Sequence, residues 1–148
     1  MRELPSQEPR SVVVSGPAEG FRTEIEVGGH HLVVDEPLPV GGTDAGPSPY
    51  EMLLAGLGAC TAMTLRLYAD KRKWPLERAR VTLQHRKVHA KDCADCDHKP
   101  ARMDVVDRVV FLEGTLTDEQ RAKLMEIAER CPVHQTLQNE IQVNTRAG

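Results

Sequence analysis

The apolar positions of the chain fall into short alternating runs, one long charge-free block and one amphipathic stripe. Phe21, Thr23, Ile25 and Val27 alternate with Arg22, Glu24 and Glu26, the period-two signature of a half-buried strand. Ser11–Ser15, with three consecutive valines, reads as a shorter strand before it. Gly28-Gly29 supplies a tight turn into the apolar run from His31 to Val34, so residues 21–34 are expected to form a hairpin. Asp35 to Pro49 holds four prolines and three glycines and reads as a backbone-restricted loop, longer than a plain connection needs.

Ser48-Pro49-Tyr50-Glu51 has the order of a helix start, with a capping serine, proline at the first helical position and glutamate at the third. The predicted helix runs to about Lys73, where Trp74-Pro75 ends it. Val81–His89 and Val105–Gly114 read as two further strands. Thr117-Asp-Glu-Gln120 caps a second helix through about Arg130, and Cys131-Pro132 introduces a short helical piece to Asn139. Ile141–Thr145 alternates like a closing strand. Residues 1–10 read as a polar leader and residues 11–148 as a single domain. The order β-β-β-α-β-β-α-β gives the α+β class.

From Met52 to Leu65 the first helix has no charge and no polar face wider than a threonine. A helix apolar all round must be covered all round. One small sheet and one amphipathic helix cover two sides of it, so the remaining side calls for a second copy of the chain. The 148 residues include only five aromatics, Trp74, Tyr50, Tyr68, Phe21 and Phe111, so the core must be built from aliphatic side chains. The fourteen uncharged residues fall short of the roughly 18 needed to cross a bilayer. No apolar stretch follows the first residues. The expectation is a cytoplasmic protein without membrane contact. Nineteen basic against twenty-two acidic residues leave a net charge of −3, the opposite of the basic excess a nucleic-acid binder shows.

Four cysteines, at 60, 93, 96 and 131, bring in the chemistry. In a reducing compartment they read as reactive or metal-binding rather than as structural disulfides. Cys60 lies mid-helix, where a thiol is either a small buried hydrophobe or a nucleophile with a supporting cation. Cys131 precedes Pro132 at a helix break, a place where amide donors lower a thiol pKa. His134 reads as a surface histidine without a role. His89, Cys93, Cys96 and His98 offer four nitrogen and sulfur donors within ten residues, so zinc or another soft metal is a candidate occupant beside a plain loop and a redox pair. No cofactor is otherwise required.

The segment Asp44-Ala-Gly-Pro-Ser-Pro-Tyr-Glu-Met-Leu-Leu-Ala-Gly-Leu-Gly-Ala-Cys60, together with Cys131-Pro-Val-His134, resembles the OsmC/Ohr family. The resemblance spans about residues 11 to 145 and implies an intertwined α+β homodimer, with antiparallel sheets packed around a long buried central helix. It also implies a thiol peroxidase acting on organic hydroperoxides. By resemblance, Cys60 is the attacking cysteine, Cys131 resolves it to a disulfide, and an external dithiol, in relatives commonly a lipoyl group, reduces that disulfide. In the hydroperoxide-resistance branch a glutamate directly follows the proline and pairs with an arginine beside the thiolate. Here Tyr50 holds that slot and Glu51 comes one residue later, a turn of about 100° on the helix. Glu51 is therefore both a catalytic candidate and a capping residue, and Arg22 is the candidate arginine. The other class of function open to this fold is a non-enzymatic binding or sensing module holding a metal or an apolar ligand.

Overall fold

The computed structural model describes residues 10–89 and 102–148. It contains β1 (Val12–Ser15), β2 (Thr23–Val27), β3 (His30–Val34), α1 (Pro49–Arg72), β4 (Arg78–His89), β5 (Arg102–Glu113), α2 (Asp118–Ala128) and α3 (Pro132–Gln138). The chain divides into two compact units, one ending at Met52 and the other beginning at Leu53.

The first unit is an antiparallel meander, β1-β2-β3, in which Val14, Ile25 and Leu32 stand in register. Val27 pairs with His30 across the two-residue turn, where Gly28 and Gly29 have φ of 53° and 80°. Two successive positive φ angles define the turn type that matches strand twist, and glycine reaches them without strain. Phe21, Ile25, Val34 and Met52 line an apolar cavity of about 380 Å³.

The Gly/Pro loop after β3 is organised by one carboxylate. Asp35 is 1% exposed and accepts from the amides of Glu36 (2.8 Å), Thr43 (3.1 Å) and Ala45 (3.1 Å) and from the Thr43 hydroxyl (2.5 Å). The Thr43 hydroxyl bond leads the effects that hold its pKa at about 2, outweighing the burial that opposes them. The loop then delivers the start of α1. Ser48 N–H donates to the Glu51 carboxylate at 2.7 Å, and Glu51 N–H donates to Ser48 Oγ at 3.3 Å, the reciprocal pair the sequence pattern predicts.

In the second unit, β4 and β5 form a regular hairpin from Arg78 opposite Glu113 to His89 opposite Arg102. Leu65 and Ala69 of α1 pack with Leu76 and with Leu124, Ile127 and Ala128 of α2, over Ala79, Val110 and Leu112 of the sheet. Close approach of α1 to β4 relies on Gly58, where a Cβ would stand 2.8 Å from Leu83 Cδ1. Gly56, by contrast, faces open space. The α1–β4 connection is held by Arg66, whose guanidinium donates to the Leu76 carbonyl at 2.6 Å. A capping box opens α2, with Thr117 and Gln120 exchanging side-chain-to-backbone bonds of 3.1 and 3.0 Å.

Only one side of α1 is buried, by Leu57, Gly58, Thr61, Leu65 and Ala69. Leu53, Met63 and Leu67 on other sides are 46%, 71% and 69% exposed. Helix length and an 18-residue window of mean hydropathy 1.4 would by themselves permit a bilayer crossing, yet Leu65 and Ala69 are completely buried in the core. One expectation is corrected. Ile141–Thr145 forms no strand, and Ile141 and Val143 are 54% and 82% exposed. Alternation supplies a face, but a strand also needs a neighbour to close its hydrogen-bond ladder, and among the described residues the segment has none.

Candidate active site

Cys60 and Cys131 lie 71 positions apart in sequence, and the second unit brings their thiols near enough for each to bear on the other's ionisation. Both are free thiols, Cys60 half-buried and Cys131 completely buried. α1 places Cys60 beside Thr61, which belongs to the buried side of the helix. Cys131 reaches the same place because α2 ends at Ala128 and Pro132 starts α3, leaving Cys131 in the N-cap position. Its thiol closes no regular cap bond. The Val133 and His134 amides nonetheless lie close enough to act on its sulfur.

The two thiols are not equivalent. Burial pushes the Cys131 thiol up, but the donors around it win. The Cys60 thiol, the His134 amide, the Thr61 hydroxyl and the Val133 amide together hold it below the ordinary cysteine range. Burial pushes Cys60 up, the hydrogen bond to Cys131 pushes it further, and the Val133 amide and Thr64 hydroxyl only partly offset this. Of the two, Cys131 is the more readily ionised. Such a pair titrates as a unit.

A buried cation stands behind these groups. The Arg108 side chain, on β5, is only 9% exposed. Its Nη1 donates to Thr61 Oγ1 at 3.0 Å, and its Nη2 donates to Glu129 Oε1 at 3.1 Å and faces His134 Nδ1 at 3.0 Å. A guanidinium can only donate, so His134 Nδ1 is the acceptor and the ring proton sits on Nε2. That nitrogen lies 3.4 Å from Glu129 Oε2. Arg108 thus grips two of the residues that act on the Cys131 sulfur, Thr61 on α1 and His134 on α3. Thr61 also donates to the Leu57 carbonyl at 2.8 Å, one turn back along α1.

Glu51 and Arg22 belong to the first unit and make their bonds within it. The Glu51 carboxylate is engaged in the capping box at the start of α1. Arg22 lies in the first unit and donates to Glu24 at 2.5 Å, on the exposed side of the hairpin. His89 is the exposed last residue of β4. Cys93, Cys96 and His98 lie outside the described residues. Among the described residues no group of three or more His, Cys, Asp or Glu is placed to hold a metal ion.

Sequence reasoning missed Arg108, Thr61 and Glu129, and it assigned His134 to the surface, whereas that side chain is 18% exposed and hydrogen-bonded to Arg108. A signal for Arg108 was present. It shares strand parity with Val110 and Leu112, which pack on the core, and it stands opposite Leu83, the residue at Gly58.

Residues 42–146 match the family model described as OsmC-like protein. A search of curated proteins gives no match. Among solved structures, the chain is similar to an OsmC-like protein from Mycoplasma pneumoniae, with 16% identity, a TM-score of 0.67 and 88% of each chain covered. It is also similar to an organic hydroperoxide resistance protein from Legionella pneumophila (19% identity, TM-score 0.64, 89% and 90% covered). A third is the organic hydroperoxide resistance protein OhrB of Bacillus subtilis (20% identity, TM-score 0.59, 87% and 90% covered). At these identities the likeness establishes a common fold.

Proposed function

The chain belongs to the OsmC-like protein family, and from that membership and its paired thiols we propose that it is a cysteine-based peroxidase reducing organic hydroperoxides to alcohols. The observation that supports this reading most is the contact between a half-buried and a completely buried thiol. Cys60, the more accessible of the two, meets the peroxide. Its sulfur attacks the distal oxygen, an alcohol leaves, and Cys60 becomes a sulfenic acid. Cys131, already in contact, condenses with it, releasing hydroxide and forming a disulfide. An external dithiol returns the pair to its reduced state.

The working form is a homodimer in which the second copy covers Met63 and Leu67 of α1, and the setting is the cytoplasm, where the dithiol stays reduced. The active site uses Cys60, Cys131, Thr61 and Arg108. Glu51 caps α1, and Arg22 serves the hairpin.

Peroxide consumption with a dithiol reductant tests this reading. Wild type consumes cumene hydroperoxide, Cys60→Ser does not, and Cys131→Ser accumulates a sulfenic acid at Cys60 that dimedone traps. Equal consumption by wild type and Cys60→Ser overturns the reading, and a protein that leaves the peroxide intact is instead a binding module.

A further inference from the structure

A disulfide forms only where two Cα atoms stand within about 7 Å of each other, so the segment bearing Cys131 must be held to the Cys60 helix. The helix that follows Cys131 cannot do this alone. α3 has seven residues, none of them fully buried, and a helix that short is marginal without outside contacts. Among the described residues, the hydrogen bonds of its side chains stay within α3 or return to Glu129, with one exception. His134 Nδ1 accepts from Arg108 Nη2 on β5 at 3.0 Å. We propose that Arg108 is a positioning residue for the resolving step, a clamp that fixes the Cys131 corner relative to the Cys60 helix and so sets the effective concentration of one thiol at the other. The inference rests on the peroxidase reading for the roles of the two cysteines and extends it to what holds them together.

The clamp grips each cysteine segment by its neighbours. On α1 it holds Thr61, completely buried and next in sequence to Cys60, whose Oγ1 accepts from Arg108 Nη1 at 3.0 Å. Thr61 directs its own proton to the Leu57 carbonyl, which leaves its oxygen open to accept. On the other side, Arg108 Nη2 reaches Glu129, two residues before Cys131, and His134, three residues after it. Neither moves independently of Cys131. The Cys131 N–H donates to the Ala128 carbonyl at 3.4 Å, and the Cys131 carbonyl accepts from the Gln135 N–H at 3.0 Å. Gln135 Nε2 closes the corner by donating to the Glu129 carbonyl at 2.8 Å. Holding Glu129 and His134 therefore holds the Cys131 backbone. A guanidinium suits the task because its planar fork serves two elements at once, which the single nitrogen of lysine does not.

The clamp decides a competition for the Cys60 sulfenic acid. With Cys131 in place, its sulfur attacks the sulfenic sulfur, the S–S bond forms as the S–O bond breaks, and hydroxide leaves with the Cys131 proton as water. With Cys131 displaced, the sulfenic acid meets a second hydroperoxide. Its sulfur takes the distal oxygen, a second alcohol leaves, and Cys60 becomes a sulfinic acid that a dithiol does not reduce. Loss of Arg108 shifts the outcome from the first product to the second.

The test needs no peroxide. Protein is equilibrated with mixtures of reduced and oxidised glutathione, quenched, and mapped by peptide mass spectrometry for the Cys60–Cys131 disulfide. The glutathione disulfide breaks as the protein disulfide forms, and the two protein protons pass to two glutathione thiols. The equilibrium constant has units of concentration and reads the effective concentration of one protein thiol at the other. Arg108→Gln and His134→Ala should each lower it about tenfold, the scale of a lost hydrogen bond to a charged group. Arg108→Lys and His134→Asn, which keep a donor and an acceptor in place, should recover part of the loss. The double variant Arg108→Gln/His134→Ala should lose no more than Arg108→Gln alone, because the two residues act through one bond. Equal constants for wild type, Arg108→Gln and His134→Ala overturn the proposal. So do additive losses in the double variant, or a Cys60–Cys131 disulfide that forms at no glutathione ratio. If circular dichroism shows Arg108→Gln unfolded, His134→Ala against His134→Asn decides, with the Arg108 charge left in place. Clamp-dependent constants in a protein that leaves cumene hydroperoxide intact would remove the peroxidase reading and leave the clamp standing. Peroxide consumption with clamp-independent constants would do the reverse.

Discussion

Arg108 on β5 donates a 3.0 Å hydrogen bond to Thr61 on α1, 47 positions away in the chain, and Thr61 lies against the sulfur of Cys131. A charged side chain that is only 9% exposed needs its donors satisfied. Arg108 meets this with Thr61, Glu129 and His134, and so ties the sheet to both cysteine-bearing segments.

Removing the Thr61 hydroxyl should therefore weaken the fold as well as the site. Thr61→Val leaves the buried Nη1 without its acceptor and should cost about 1–3 kcal/mol. Thr61→Ser keeps the acceptor and should cost less. Urea denaturation of the two variants checks this. Equal midpoints for Thr61→Val and wild type would mean that the bond contributes nothing.

The Asp35 carboxylate should make the loop between β3 and α1 sensitive to acid. Its pKa is held at about 2, below the unfolded value near 3.9. The stabilisation is therefore complete above about pH 4 and is lost as pH falls through about 2. Asp35→Asn should melt at lower temperature than wild type near neutral pH, and the gap should close as the pH drops below about 4. A gap that stays constant down to about pH 2 would show that the carboxylate charge is not the cause.

Glu51 offers a clean separation of capping from catalysis. Glutamine can occupy the same place in a capping box, so Glu51→Gln should keep both the melting temperature and the rate of peroxide consumption. Glu51→Ala should lose about 1 kcal/mol of stability. A large loss of rate in Glu51→Gln with unchanged stability would give the carboxylate a chemical role.

The exposed apolar side of α1 should be an interface between copies. Met63→Glu and Leu67→Glu each place a charge on a stripe now 71% and 69% exposed in the single chain. Both variants should elute as folded monomers in size exclusion with light scattering, against a dimeric wild type. A monomeric wild type would remove the second copy from the account.

The hairpin turn at Gly28-Gly29, the span of α1 and the Thr117–Gln120 box were legible in the sequence because each depends on residues a few positions apart. The site was legible only in part. Cys131 announced itself through its helix break, but its contact with Cys60 joins segments that only tertiary packing unites, and family resemblance rather than spacing pointed to it. Arg108 was hidden because an arginine in a strand reads as an outward position, whereas its parity with Val110 and Leu112 turns it inward. His134 was misread for the same reason, since its partner is supplied by β5. Ile141–Thr145 has the pattern of a strand without a neighbour to pair with among the described residues.

The most direct measurement is disulfide mapping after single turnover. Reduced protein is treated with about one molar equivalent of cumene hydroperoxide, quenched by alkylation, and digested for mass spectrometry. A Cys60–Cys131 cross-link formed in proportion to the peroxide consumed is the predicted result. Peroxide left unconsumed with both cysteines alkylated, or consumed with no link between them, would contradict the account.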